Sequence, residues 1–204
     1  SSFYGVGDFD ATTLQKMLTG KNVSLSLNLG NLSESLSGSS TPRDIETLMQ
    51  WIYLSFADPR FDEKAHKAIM ARYRAYWQNL ENNPQKIMGD SLNLILTDYH
   101  PRTRVMNLAF LEEIDLEKLE EIYRGRYSDA SDFFFVIVGN MEEDEVKKLV
   151  QKYIGSIPDL DRKENWIDRK IREPEGVVKK TIPMMLENWR RSTGVGIQMP
   201  AIFS

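Results

Sequence analysis

The chain has 204 residues, 41% of them hydrophobic, and a formal net charge of −4, which is length enough to bury a core and to hold one domain or one and a fraction. With no cysteine it excludes disulfides, thiolate zinc sites and cysteine nucleophiles, and no run of about 18 apolar residues is available to span a membrane. Acids and bases are interspersed, which argues against nucleic acid as a main partner, and Ser1-Ser2-Phe3-Tyr4-Gly5 lacks the basic-then-apolar pattern of a signal peptide.

In chain order, Asp10 is placed to cap a short helix carrying Leu14, Met17 and Leu18, with Gly20 just past its end. Val23, Leu25, Leu27 and Leu29 then alternate with Ser24, Ser26 and Asn28, the pattern of a half-buried strand. Gly30-Asn31 offers the two-residue turn of a hairpin, with Leu32 to Ser37 returning as the partner. Thr41-Pro42-Arg43-Asp44 reads as a helix start, with a capping hydroxyl, proline at the first helical position and an acid in the first turn. Ile45, Leu48, Met49, Ile52 and Phe56 follow at helical spacing, and Asp58-Pro59 ends that helix.

A second long helix is expected from Asp62 to Asn82, burying Ala65, Ile69, Tyr73, Tyr76 and Leu80. Pro84 opens a third, to Thr97, and Asp115 caps a fourth with Leu116, Leu119 and Tyr123 inward. Phe133 to Val138 is an unbroken apolar run ending at Gly139-Asn140, which predicts a central strand covered on both faces. The acids Glu142 to Glu145 favour the positive N-terminus of the next helix, whose buried stripe is Val146, Leu149, Val150, Tyr153 and Ile154. Asp159 to Gly176 is polar and charged and reads as a linker, after which Val177 to Ile182 and Thr193 to Met199 read as strands with too few neighbours for a core. The expected class is α+β: a largely antiparallel sheet with helices packed on it, the chain stopping inside a second domain.

The only histidines are His66 and His100, and neither has a second histidine one helical turn away to share a zinc ion. His66 reads as a helix-surface residue rather than a ligand. His100 lies near Asp98 in Asp98-Tyr99-His100-Pro101, where a metal-binding pair is conceivable and a solvated loop is the simpler reading. There is no Gly-x-Ser-x-Gly elbow, and Gly38-Ser39-Ser40 reads as a turn before a capped helix rather than a phosphate cradle. Tyr73, Tyr76 and Trp77 read as core, and the Lys179-Lys180 and Arg190-Arg191 doublets as solvated faces. No residue is assigned a catalytic, cofactor-binding or metal-binding role.

Several segments resemble the pitrilysin/insulinase family of zinc metallopeptidases. The most specific runs from Phe133-Phe134-Phe135-Val136-Ile137-Val138-Gly139-Asn140-Met141 to Lys152-Tyr153-Ile154-Gly155-Ser156-Ile157-Pro158, which is similar to the family's closing strand, Val-Gly-Asn turn and acid-led helix. Ile122 to Tyr127 resembles the segment that leads into that strand, and Gly38 to Leu48 followed by Asp58 to Asp62 resembles the large bacterial members. The family's inverted zinc motif, His-x-x-Glu-His, has no counterpart here, and between Glu63 and Glu81 the helix corresponding to that of the late glutamate ligand holds no acid.

The resemblance therefore implies a degenerate, non-catalytic third domain, of the mitochondrial-processing-peptidase-like fold, over residues 1–160. It implies a linker over 161–176 and the start of a following related domain over 177–204. The implied role is to form part of a peptide-digesting chamber, with no cofactor in this chain and zinc held by the parent protein's catalytic domain. The implied partners are that catalytic domain, in the same chain or in a separate subunit, and the parent enzyme's peptide substrates. The alternative is an inactive interaction subunit beside a separate catalytic chain. The bacterial periplasm is the compartment suggested by the resemblance.

Overall fold

Local signals set most of the elements. A computed structural model describes residues 4–30, 32–161, 165–182 and 195–198, and it divides into two compact units. The first comprises residues 1–69 and 115–164, and the second residues 70–114 and 165–204.

In the first unit, β1 (Gly5–Val6) and β2 (Phe9–Asp10) pair as a small antiparallel ribbon leading into α1 (Ala11–Met17). The Asp10 carboxylate accepts from Thr13 N at 2.7 Å, the expected cap. Next, β3 (Val23–Leu29) and β4 (Glu34–Ser40) form an antiparallel hairpin. Leu25 is buried and Val23 and Leu27 half-buried while Ser24, Ser26 and Asn28 are exposed, so the predicted alternation holds as far as Leu27, and Leu29 at the strand's end is exposed.

The turn differs from expectation. Leu29 pairs with Glu34, which leaves four residues in the connection rather than two and sends Leu32 out to solvent. The packing of the following helix accounts for this register, because it sets Gly38 opposite Leu25 beneath Leu48. A Cβ at position 38 would stand 2.7 Å from Leu48 Cδ1 and 3.1 Å from the Ser24 carbonyl oxygen. A register two residues earlier would place Leu36 there.

A single 3-10 turn, Pro42–Asp44, leads into α2 (Ile45–Ala57). The Thr41 hydroxyl does not cap the helix backbone as expected; it donates to the buried Asp44 carboxylate at 2.8 Å, which also accepts from Asn22 N at 3.0 Å. Asp44 thus ties the helix start to the residue before β3. Leu48, Met49 and Phe56 are buried as predicted, and Trp51 and Ser55 join them. Val6, Leu14, Leu25, Leu48 and Trp51 form one core cluster between the ribbon, the hairpin and α2.

Asp115 caps α6 (Leu116–Tyr127), accepting from Lys118 N at 3.1 Å. The Tyr123 hydroxyl donates to the Ser55 carbonyl at 2.8 Å and the Tyr127 hydroxyl to the Asn28 carbonyl at 2.9 Å, fixing this helix to α2 and to the hairpin. In α7 (Glu143–Tyr153) the acids sit in the first turn, and Lys152 and Tyr153 both reach Glu46 on α2, at 2.9 and 2.7 Å.

The apolar run from Phe133 to Val138 departs from the predicted central strand. It joins no ladder: the sheets among the described residues are the pairs β1–β2, β3–β4 and β5–β6. Its exposure still alternates, with Phe134, Val136 and Val138 at 100%, 83% and 91% and the intervening Phe135 and Ile137 at 39%. Phe133 and Phe135 lie against Phe56 of α2, with ring centroids 5.0 and 6.1 Å away. One face of the run is thus supported and the other is bare.

The second unit holds the later part of the helix α3 (Glu63–Leu80), with α4 (Pro84–Leu96), α5 (Leu108–Glu112) and the antiparallel pair β5 (Lys179–Ile182) and β6 (Val195–Gln198). The edges of the predicted last strand, residues 193–194 and 199, lie outside the described residues. Asn83 caps α4 through Lys86 N at 3.0 Å. Contrary to the predicted stripe, α3 has no buried residue, and Tyr76 is 57% exposed. Trp77 lies on the side of α3 that lines a hollow with Ile87 and Leu94 of α4, so the inward stripe is rotated away from Tyr76. The architecture is α+β, as the sequence predicts.

Candidate functional site

The two histidines are far from forming a shared centre in sequence, and local structure accounts for each. His66 accepts or donates through Nδ1 to the Tyr4 hydroxyl at 3.0 Å, with the two rings stacked at 6.2 Å. Asp62, just ahead of it, is occupied as well: its carboxylate accepts from Ala65 N at 2.7 Å, and that bond holds its pKa below the ordinary carboxylate value.

His100 belongs to the exit from α4. Asp98 and Tyr99 adopt left-handed backbone, at φ 48° and 53°, while Asp98 N bonds to the Ile95 carbonyl and Tyr99 N to the Leu94 carbonyl. This paired closure is a Schellman-type helix end, with aspartate at the position usually held by glycine. His100 Nδ1 then accepts from Arg102 N at 3.2 Å. The Asp98-Tyr99-His100 segment is accounted for by this capping. Among the described residues, no group of three or more His, Asp or Glu is arranged to hold a metal ion.

The feature with room for a partner lies elsewhere, in the first unit. Between β4 and the Phe133–Val138 run is a cavity of about 570 Å3, floored by Leu48 and Ile52 of α2. On one side stands the edge of β4 that does not face β3. On the other stands the run itself, whose backbone groups from Phe134 to Val138 make no backbone hydrogen bond to any described residue.

A second carboxylate fixes the entry to this run. Asp129 is 1% exposed and accepts from Ser131 N, Ser131 Oγ and Leu160 N at 3.1, 2.7 and 3.0 Å. Ala130 N bonds to the Pro158 carbonyl, so the residues after α7 are stapled beside the start of the run. The run is held at its root and along one face, and open elsewhere. Reading the sequence alone missed the slot. The continuous apolar character of residues 133–138 signalled that both faces want cover, but not that a partner strand is absent from the described residues.

The fold is α+β, antiparallel strand pairs with helices packed on them among the described residues. Residues 113–192 match the family described as the Peptidase M16 inactive domain. The chain is 20% identical over 176 residues to a "Probable zinc protease PqqL" of Haemophilus influenzae, covering 83% of this chain and 18% of that protein. Among solved structures it superposes on the periplasmic protease PqqL from Escherichia coli with a TM-score of 0.69 at 19% identity, covering 86% of this chain and 19% of that one. It superposes on pitrilysin with a TM-score of 0.63 at 16% identity, covering 84% and 19%. Over residues 113–192 the chain is thus similar to the inactive domain of a peptidase family, and it spans less than a fifth of the length of these relatives.

Proposed function

We propose that this chain is a non-catalytic, wall-forming part of a zinc-dependent peptidase, helping to enclose the chamber in which peptides are cut. The observation that carries this reading is the match of residues 113–192 to an inactive peptidase domain, in a sequence with two histidines and no His-x-x-Glu-His. Zinc and the catalytic groups then belong to another domain of the same polypeptide, a reading supported by the much greater length of the relatives. A folded shell that buries α2 while spending its polar side chains on caps and interhelical pairs suits a structural role.

Within this reading, residues 1–160 are the degenerate peptidase-like domain, 161–176 the connection and 177–204 the start of the next domain, on the strength of the polar composition between Asp159 and Gly176. The compartment proposed is the periplasm, by analogy with the Escherichia coli protease. Metal analysis combined with peptide cleavage tests the role. The isolated chain is expected neither to retain zinc stoichiometrically nor to cleave peptides, whereas the parent polypeptide does both. Stoichiometric zinc with zinc-dependent proteolysis by the isolated chain would overturn the assignment.

A further inference from the structure

In the second unit, the hollow between the end of α3, α4 and the segment ahead of α5 measures about 350 Å3. Trp77, Ile87, Leu94 and Val105 give it apolar walls. Its charged lining residues are Glu81, Lys86 and Asp90, two carboxylates against one ammonium. Lys86 and Asp90 pair with each other along α4 and are both half-buried. Glu81 is exposed at the rim and makes no ion pair with any described residue, so the hollow carries one uncompensated negative charge.

Two of these three charges stand where their helices disfavour them. Glu81 directly follows the last residue of α3, at the negative end of the helix dipole, and the last turn of that helix holds no basic side chain. Lys86 sits in the first turn of α4, at the positive end, and lysine ahead of aspartate is the weaker order for an i,i+4 pair. Exchanging the two signs would suit both helices better. Charges held against local preference mark positions where something other than helix stability sets the residue.

We propose that this hollow binds a basic side chain of an extended peptide, arginine or lysine, with its alkyl stem along Ile87 and Leu94 and its cation between Glu81 and Asp90. The cation would also complement the carbonyl end of α3, and the indole of Trp77 favours it further, since aromatic rings attract cations. An anionic ligand would meet two carboxylates, and a purely apolar one would strip water from them without replacing it. Lys86 holds Asp90 from within the chain in the same way, so it competes with such a ligand. That the cation belongs to a peptide rests on the proposed function; the charge and shape of the hollow do not.

The test is a titration of the 204-residue chain with acetyl-Ala-Arg-Ala-amide and with its citrulline counterpart, which keeps the shape and loses the charge. The chain has four tryptophans, and the indole N–H signal of Trp77, assigned by its loss in Trp77→Phe, is followed by NMR. That signal is expected to shift saturably, with the arginine peptide bound about 10-fold more tightly than the citrulline one, as for a charge-assisted contact. Glu81→Gln, a conservative change at an exposed position, should remove most of that preference. Lys86→Gln should raise the affinity for the arginine peptide about 3-fold, because Asp90 loses its internal partner. A purely structural role for the Lys86–Asp90 pair predicts no such gain.

Equal binding of the two peptides, a Trp77 signal that moves with neither, or weaker arginine binding in Lys86→Gln would each overturn the proposal. So would agmatine, a free alkylguanidine, binding as tightly as the peptide, which would assign the hollow to a small cation. Should the short chain not fold alone, a longer polypeptide from the same reading frame is labelled with an arginine peptide carrying a benzophenone. The adduct is expected within residues 77–108, competed away by the unlabelled arginine peptide and not by the citrulline one, and an adduct elsewhere sinks the idea. Neither zinc nor cleavage enters the titration. Its failure leaves the proposed function standing, whereas zinc-dependent cleavage by the isolated chain would reject that function without altering the charge preference of the hollow.

Discussion

The hairpin β3–β4 and the run Phe133–Val138 are two extended stretches beside the same helix, α2, and they solve burial differently. In the hairpin, β3 alternates serine or asparagine with leucine or valine and β4 carries serine at 35, 37 and 39, so one face can be bare in water without loss, and the two strands satisfy one edge of each other. The run is apolar at every position, so covering Phe133 and Phe135 with Phe56 still leaves Phe134, Val136 and Val138 in solvent. Local pattern was enough to fold the first. The second depends on what lies against it.

The sharpest way to break this comparison is to truncate one aromatic on each side of it. Phe56 is 3% exposed and touches the rings of Tyr127, Phe133 and Phe135. Phe56→Ala is expected to cost about 3–5 kcal/mol in urea unfolding of this chain, since it opens a cavity where four rings meet. Phe134→Ala, by contrast, is expected to stay within about 0.5 kcal/mol of the parent sequence, as for other exposed positions. A large loss from Phe134→Ala would mean that the outer face of the run is already covered. Gly38→Ala comes next. The added methyl meets a leucine methyl at 2.7 Å and a strand carbonyl oxygen at 3.1 Å, so the hairpin or α2 must shift. The expected loss is about 1–3 kcal/mol, read from the same unfolding curves.

Elements with a strong local signal were legible from the residues: the caps at Asp10 and Asp115, the β3 alternation, and the acid-led start of α7. Those that depend on tertiary placement were not. The hairpin turn moved by two residues because α2 needs a glycine under Leu48, which no reading of the turn itself could supply. The stripe on α3 failed because Tyr73, Tyr76 and Trp77 fit several helical faces, and only the position of α4 selects Trp77. Residues 133–138 were readable as a strand needing company on both faces, but the identity of its neighbours is a property of the sheet and not of those six residues.

Smaller effects probe how the run is anchored from below. Burial pushes the Tyr123 phenol well above the ordinary tyrosine value, while its hydroxyl donates to the Ser55 carbonyl in the last turn of α2. Removing that hydroxyl in Tyr123→Phe is expected to cost about 1 kcal/mol, the usual net worth of such a bond. The sign of the pH dependence follows from the folded state holding its proton more tightly than the unfolded state. The stabilising term is fully present below the unfolded tyrosine value of 10.0 and is lost as pH rises from there toward the higher folded value. Thermal unfolding between neutral pH and strongly alkaline pH should therefore fall less steeply for Tyr123→Phe than for the unaltered chain.

The smallest effect is expected where α7 meets α2 at the surface. Glu46 has its pKa lowered, first by the hydrogen bond from Lys152 and next by the one from Tyr153, and Lys152 is raised in turn by Glu46. A carboxylate with a lowered folded pKa contributes stability above its unfolded value near 4.5, and that contribution disappears as pH falls through the folded value. Glu46 and Lys152 are half-exposed or more, so salt screens the pair and its net contribution is modest. Glu46→Gln should lower the melting temperature slightly at neutral pH and low salt, and the difference should vanish both in high salt and once pH has fallen through the lowered carboxylate value of the folded chain. A difference that survives both conditions would show that Glu46 acts through packing against Tyr153 and not through its charge. In that case α7 is held to α2 by shape, and the anchoring of the Phe133–Val138 run between α6 and α7 does not depend on this ion pair.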